Sequence, residues 1–248
     1  MDDPRLADQN SRAYYDEFSR TYEAKRGSPK GAGYHDLLDH LEASYVARFG
    51  SGRDVLEVGC GTGLVLSRIA DFAQAAKGVD LSPGMLELAK KRGLDVVEGS
   101  ATSLPFPDRS FDVTCSFKVL AHVPGIEQAL SEMARVTRPG GVILAEFYNP
   151  HSLRGLLRRI GPARTIGRAR REDDVFTRFD SPSRTRTLTP PGCRFLGARG
   201  VRILTPFAGL LDVPLLGRAL YRAEEVLADG PLKGLAGFYI AAYRKDDP

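Results

Sequence analysis

Asp54-Val-Leu-Glu-Val-Gly-Cys-Gly-Thr-Gly63 decides the fold, because an apolar strand runs directly into three glycines at alternate positions. An apolar helical pattern follows at Leu64. Strand, tight loop and helix in this order create a site where the backbone can approach a ligand closely, and residues without a Cβ permit the closest approach. The sequence therefore predicts that Gly59, Gly61 and Gly63 form the floor under a bound cofactor.

The next predicted strand, Ala76-Lys-Gly-Val-Asp80, ends in a carboxylate that can accept both hydroxyls of a ribose. A dinucleotide fold places an acid similarly, but its loop reads G-x-G-x-x-G, whereas this loop reads G-x-G-x-G. Glu57, inside the strand before the loop, would repel a pyrophosphate and suits a cationic amino-acid group. A nucleoside that carries an ammonium and a sulfonium fits this pattern better than a dinucleotide.

Four segments resemble, in sequence and in order, the motif series of class I S-adenosylmethionine-dependent methyltransferases that act on small molecules. They are Val55-Leu-Glu-Val-Gly-Cys-Gly-Thr-Gly63, Gly78-Val-Asp-Leu-Ser82, Leu104-Pro-Phe-Pro-Asp-Arg-Ser-Phe-Asp112 and Arg138-Pro-Gly-Gly141. The resemblance covers about residues 10–148. It implies S-adenosyl-L-methionine as the cofactor and methyl transfer to an O or N atom of a small-molecule acceptor.

The resemblance also implies which positions line the cofactor site. These are Tyr22, Glu57, Gly59, Cys60, Gly61, Gly63, Asp80, Leu81, Met85, Ser100, Ala101, Thr102 and Phe117. Most relatives carry an acid after the third strand, where it holds the adenine amino group. This chain has Ser100 there, so the hydroxyl and the backbone of Ala101 would have to provide the adenine contact.

His122, shortly after the fourth predicted strand, is the candidate general base, because a base at that position could reach the methyl group. A lone histidine is more often structural, and methyl transfer from a sulfonium can proceed mainly by alignment of the reactants. Lys118 is the competing polar group, either facing solvent or touching the acceptor. The residues expected at the acceptor are Tyr15, Lys118, His122, Arg158 and Arg159.

Charge is unevenly placed along the chain. Residues 1–150 hold 17 Lys and Arg against 21 Asp and Glu, whereas residues 151–248 hold 18 against 10. Seven arginines fall between Asn149 and Arg171. This run favours an anionic acceptor or a lipid at a membrane surface, although a basic face can also serve solubility alone.

Composition and motifs argue against several other classes of protein. Three cysteines without C-x-x-C spacing do not indicate disulfides or zinc, and no Asp, Glu and Asn cluster indicates magnesium. The fourth strand lacks the signature of enzymes that methylate nucleic-acid bases, so no nucleic acid is expected as a partner. No apolar run approaches the roughly 20 residues that span a bilayer, and the N-terminus lacks signal-peptide regions, so a cytoplasmic location is expected.

Alternating strands and helices predict an α/β fold with a Rossmann-like, doubly wound and mostly parallel seven-stranded sheet. The expected division is an N-terminal helical lid at 1–50, a cofactor-binding core at 51–148, a basic insertion or cap at 149–192, and final strands with a helical elaboration at 193–248. Two alternatives stay open: a cofactor-binding scaffold without turnover, and a nucleotide-linked oxidoreductase. The sequence leaves open the acceptor and the oligomeric state.

Overall fold

The computed structural model describes residues 12–19, 33–152, 176–205 and 207–247. The strands are β1 (Asp54–Val58), β2 (Ala75–Asp80), β3 (Asp95–Glu98), β4 (Phe111–Ser116), β5 (Thr137–Tyr148), β6 (Cys193–Val201) and β7 (Phe238–Lys245). The α-helices are α1 (12–19), α2 (Tyr34–Gly50), α3 (Leu64–Ala70), α4 (Pro83–Lys91), α5 (Ile126–Val136), α6 (Pro182–Thr187) and α7 (Leu216–Leu227). Short 3₁₀ turns occupy Leu120–His122, Ala208–Leu210 and Pro231–Leu235.

The strands form one sheet in the order β3-β2-β1-β4-β5-β7-β6. The first five strands pair in parallel, because α3, α4 and α5 supply the crossovers that parallel neighbours require. β7 runs antiparallel to both β5 and β6. This arrangement confirms the predicted doubly wound, mostly parallel seven-stranded sheet.

Alternate residues along the central strands separate the two faces of the sheet, as the two-residue period of a strand requires. Val55 and Cys115 pack with α2 and α3 on one face, in a cluster that includes Leu37, Leu41 and Ile69. The opposite face carries Leu56 and Val58 of β1 and Ile143 of β5, which pack with α5 through Ile126, Leu130 and Met133. Because both faces are covered, the strands read as nearly continuous apolar runs.

β5 begins at Thr137, which pairs with Phe111 of β4, and the Arg138-Pro-Gly-Gly141 segment forms an irregularity before the pairing resumes between Val142 and Val113. Gly141 is needed there, since a Cβ would lie 2.6 Å from the backbone oxygen of Asp112. This segment is therefore an irregular start of the strand.

α2 falls within the range predicted as a lid, but it packs into the core and its apolar side chains are buried. α1 is the part of that range that lies at the carboxyl edge of the sheet, against the start of α4. Within the described part of the chain, no helix combines the length and the apolar character needed to cross a bilayer.

Candidate functional site

In the glycine loop between β1 and α3, three glycines at alternate positions adopt left-handed backbone conformations. The φ angles of Gly59, Gly61 and Gly63 are 76°, 53° and 81°. A Cβ on Gly59 would collide with Val119, and one on Gly63 would collide with Leu94. At Gly61, by contrast, no described atom lies within 4 Å of the Cβ position, so this glycine opens onto the cleft and forms a cradle that a side chain would fill.

Asp80 ends β2 directly beside this loop. Its Oδ2 accepts the N–H of Gly61 at 2.8 Å and its Oδ1 accepts the N–H of Ser82 at 2.9 Å. Burial raises the pKa of Asp80 above its ordinary value, and the backbone N–H donors partly oppose that rise. The carboxylate thus holds the loop in shape and still lines the cleft, where its remaining lone pairs can accept ligand hydroxyls.

Glu57, the last residue but one of β1, lies at the bottom of the same cleft. It is only 3% exposed, and its Oε2 has no hydrogen-bond partner among the described residues. Burial, with the nearby Glu42 as a second cause, raises the pKa of Glu57 well above its ordinary 4.5. A buried acid with an unused oxygen at a cleft is a site for a cationic ligand group.

Ser100 and Ala101 line the cleft after β3, whereas Thr102 stands behind them. The Ser100 hydroxyl lies 2.9 Å from the Thr102 hydroxyl and accepts the Thr102 N–H at 3.2 Å. This turn gives Ser100 a defined orientation. A hydroxyl therefore occupies the position at which an acid was expected from the resemblance.

Most residues predicted for the site line one cleft, which encloses about 1080 Å³ counted out to its open mouth. The predicted residues in its wall are Tyr15, Glu57, Gly59, Cys60, Gly61, Asp80, Leu81, Met85, Ser100, Ala101, Phe117, Lys118 and His122. The cleft is open to solvent, and apolar side chains such as Leu81, Met85 and Phe117 line it together with a few polar groups, as is common for ligand pockets. Tyr22, Arg158 and Arg159 lie outside the described residues.

His122 is held by backbone on the far side of the cleft. Its Nδ1 lies 3.0 Å from the carbonyl oxygen of Phe176 and 3.2 Å from the hydroxyl of Thr177. Because a carbonyl only accepts, Nδ1 must carry the proton, and Nε2 is then the basic nitrogen. The segment at 176–178 is secured by a further bond from the Arg178 N–H to the Ala121 carbonyl, at 2.8 Å.

Tyr148, at the end of β5, completes this side of the site and was not predicted. Its hydroxyl lies 3.4 Å from Nε2 of His122, and its ring contacts the rings of Phe179 and Phe238. Burial raises the pKa of Tyr148 above its ordinary range, so the hydroxyl stays protonated and can donate. The available signal was its place at the carboxyl end of a central strand, where ligands bind in such sheets.

Lys118 follows β4 in a left-handed conformation, with φ of 60°, which is unusual for a residue with a side chain. Its Nζ lies 2.9 Å from Oε2 of Glu42 and 3.4 Å from Oδ1 of Asp39, so it turns toward α2. Its backbone N–H donates to Glu146 at 3.0 Å. Glu42 was also missed, although a polar residue between Leu38, Leu41 and Tyr45 on an apolar helix face was a usable signal.

α1 brings Tyr15 into the cleft and is attached to α4 through one carboxylate. Oδ1 of Asp16 accepts the hydroxyl of Ser82 at 2.5 Å and the N–H of Gly84 at 3.0 Å. The Ser82 hydroxyl in turn caps α4 by accepting the Met85 N–H. The helix N-terminus favours a negative charge, so Asp16 lies where the α4 dipole stabilises it.

Comparison with known proteins agrees with this geometry. Residues 56–145 match the model of a methyltransferase domain. A demethylmenaquinone methyltransferase of Renibacterium salmoninarum is 43% identical over 119 residues, which are 46% of this chain and 46% of that protein. The chain thus aligns with about half the length of such relatives.

Solved structures share the fold over nearly the whole chain. A methyltransferase of Thermotoga maritima, described as a possible histamine N-methyltransferase, has a TM-score of 0.64 and is 21% identical, covering 94% of this chain and 98% of that one. The cyclase SpnF also has a TM-score of 0.64 and is 21% identical, covering 96% of each chain. One of these neighbours is a methyltransferase and the other is a cyclase. Their similarity therefore establishes the fold of this chain, whereas the reaction has to be inferred from the residues of the site.

Proposed function

We propose that this chain is a class I S-adenosylmethionine-dependent methyltransferase, which its match to a methyltransferase domain at residues 56–145 supports. It would transfer a methyl group from S-adenosyl-L-methionine to a small, ring-bearing and lipid-like acceptor. The observation that carries the proposal is the unpartnered, buried Oε2 of Glu57 in a cleft that also presents Asp80 and the open Gly61. A ligand without a hydrogen-bond donor would leave that carboxyl group unsatisfied, and a cationic ammonium is the donor that best stabilises its ionised form.

The residues present fit this cofactor. Asp80 would accept the ribose hydroxyls, Glu57 would accept the ammonium of the amino-acid part, and Ser100 with Ala101 would contact the adenine. The open Gly61 leaves room for the nucleoside above the loop. Bound there, the cofactor would supply an electrophilic methyl group on a positively charged sulfur.

His122 and Tyr148 support an acceptor with an ionisable ring hydroxyl. The Nε2 of His122 has one lone pair, which can accept either the Tyr148 hydroxyl or a proton from the acceptor, so Tyr148 would have to turn its O–H away before Nε2 acts as a base. Phe176 and Phe179, beside these two side chains, are 51% and 62% exposed and offer apolar surface to a ring or tail. The relative named demethylmenaquinone methyltransferase supports a ring-bearing, lipid-like acceptor.

The predicted cap stays a proposal. Residues 153–175, which hold its arginines, lie outside the described residues. Tyr148 and Phe176, which are described on either side of this range, both lie against His122. The charge of the seven arginines would suit an anionic group or an anionic membrane surface.

A transfer assay with isotopically labelled S-adenosylmethionine tests the proposal. Reduced demethylmenaquinone, an aromatic carboxylate and a primary amine would be offered as acceptors, and the products identified by mass. We expect label in the quinol. Label in the amine alone would reject the proposed acceptor class. Tight cofactor binding with transfer to none of the three acceptors or to a cell extract would instead favour a binding scaffold.

A further inference from the structure

Four carboxylates from three elements meet at one end of the cleft. Asp39 and Glu42 come from α2, Glu57 from β1 and Glu146 from β5, and their exposed fractions are 5%, 0%, 3% and 1%. Residues this acidic are almost never so buried unless they are paired. In the described part of the chain, no group of His, Cys, Asp and Glu is arranged to hold a metal ion, so coordination does not explain this acid cluster.

Lys118 compensates only part of this charge. Its ammonium donates hydrogen bonds to Glu42 and Asp39, and its backbone N–H donates to one oxygen of Glu146. Oε2 of Glu57 remains without a hydrogen-bond partner among the described residues, whereas the carboxyl group of Glu146 also hydrogen-bonds that of Glu42. Glu42 and Glu57 both line the cleft, so two of these ionisable carboxyl groups face a ligand.

Without a ligand, the cluster is best neutralised by protons. Burial, and next to it Glu42, raises the pKa of both Glu57 and Glu146 well above 4.5, while Lys118 opposes the rise. Titratable and charged groups also face the cluster from the surrounding elements. They are Tyr15 of α1, Asp80 of β2, His122 of the 3₁₀ turn and Tyr148 of β5.

We propose that Glu42, Glu57 and Glu146, arranged around Lys118, form a subsite that reads the charge of the bound cofactor. The inference rests on the proposed function, because it concerns the same cleft. S-adenosylmethionine carries an ammonium and a sulfonium, whereas its product, S-adenosylhomocysteine, carries the ammonium and a neutral sulfur. A more positive ligand favours ionised carboxyl groups, so the substrate form binds with greater release of protons to solvent than the product form.

The consequence for turnover is a preference for the substrate form of the cofactor. Each methyl transfer removes one positive charge from the ligand, and the acid cluster then holds surplus negative charge beside a neutral sulfur. Glu42 lines the cleft beside Lys118, and one charge–charge interaction at a partly buried site changes affinity by about tenfold or more. The product is therefore bound more weakly than the substrate.

Calorimetry of the wild-type protein in buffers of different ionisation enthalpy measures the protons released. The ligands are S-adenosylmethionine, S-adenosylhomocysteine and sinefungin, an analogue whose amino group supplies the positive charge near the sulfur position without a transferable methyl. We expect S-adenosylmethionine and sinefungin to release more protons at pH 7 than S-adenosylhomocysteine. Equal release by all three ligands would overturn the inference while leaving the proposed function intact. Failure of all three to bind would overturn both.

Variants locate the effect. Glu57→Gln should remove most of the proton release, and Glu42→Gln should reduce the preference for S-adenosylmethionine over S-adenosylhomocysteine by about tenfold. Glu87→Gln, on the exposed face of α4, is the matched control and should change neither quantity. An unchanged preference in a folded Glu42→Gln variant would contradict the subsite.

Discussion

At the residue scale, Asp80 has two roles. It accepts hydrogen bonds from the Gly61 and Ser82 N–H groups, and it lines the cleft. Asp80→Ala should weaken binding of S-adenosylmethionine by roughly 10–150-fold, because a charge-assisted hydrogen bond to the ribose is worth about 1.5–3 kcal/mol. Calorimetry measures the change. Asp71→Ala, at an exposed position, should bind like the wild type, and wild-type affinity in Asp80→Ala would remove Asp80 from the site.

His122 is held through Nδ1 so that Nε2 faces Tyr148. If Nε2 accepts the acceptor's proton, His122→Ala should lower kcat by about 10²–10⁴-fold with cofactor affinity unchanged. Steady-state kinetics with the identified acceptor and calorimetry with the cofactor separate the two effects. The control is His40→Ala on α2, whose side chain pairs with Glu225 of α7. A loss of turnover below about threefold would assign His122 a packing role.

At the scale of elements, α1 is joined to the start of α4 through Asp16. Asp16→Ala removes the acceptor for the Ser82 hydroxyl and the Gly84 N–H, so α1 should detach more often and Tyr15 should leave the cleft wall. We expect dissociation of the cofactor to accelerate several-fold, by about the worth of one or two hydrogen bonds. Stopped-flow fluorescence follows the dissociation. Glu17→Ala, on the exposed side of α1, should leave the rate unchanged, and an equal effect of both variants would contradict the role of Asp16.

The carboxylate of Glu224 organises a second junction between elements, where α7 meets the end of β6. It is fully buried and accepts the N–H groups of Ile203, Leu204 and Thr205 as well as the Thr205 hydroxyl. Glu224→Ala would leave these donors without their partner, so the free energy of unfolding should fall by about 3 kcal/mol or more. Urea denaturation measures it, and the neighbouring exposed variant Glu225→Ala should lose less than about 1 kcal/mol.

Stability of the whole molecule should depend on pH through the same acids that face the ligand. The pKa values of Glu57 and Glu146 are raised by burial above their ordinary 4.5. A carboxyl with a raised pKa stabilises the fold fully below 4.5, and this contribution is lost as pH rises through the folded-state pKa. The pKa of Glu132 is shifted in the opposite direction, because hydrogen bonds from Arg135 lower it. The stability that Glu132 contributes to the fold is therefore lost at acidic pH.

Thermal unfolding of the ligand-free protein between pH 5 and pH 9 tests this dependence. We expect the melting temperature to decline toward high pH, and Glu57→Gln combined with Glu146→Gln to flatten the decline. Saturating S-adenosylmethionine should also flatten it, because a bound cation stabilises the ionised carboxylates. An identical decline in the double variant would show that other groups set the pH dependence.

The sequence by itself determined the parts of this protein that depend on local patterns. Glycines at alternate positions after an apolar strand indicate a tight loop with backbone conformations that residues with a side chain rarely adopt. The alternation of strands and helices indicates a parallel sheet. Asp80 could also be placed, because the carboxyl ends of neighbouring parallel strands must meet at one edge. The glycine loop, Asp80 and Glu57 were therefore within reach before any coordinates.

Only the tertiary structure decided which distant groups share the cleft. Glu42 and Lys118 are 76 residues apart, and the His122 ring and the Phe176 carbonyl are 54 apart. A sequence pattern shows which residues of one strand or helix are buried. It does not show how neighbouring elements align with each other, or where a side chain points at their junction. The acid cluster and the His122–Tyr148 pair arise where helices and strand ends pack together, so their contacts exist only once the whole sheet has formed.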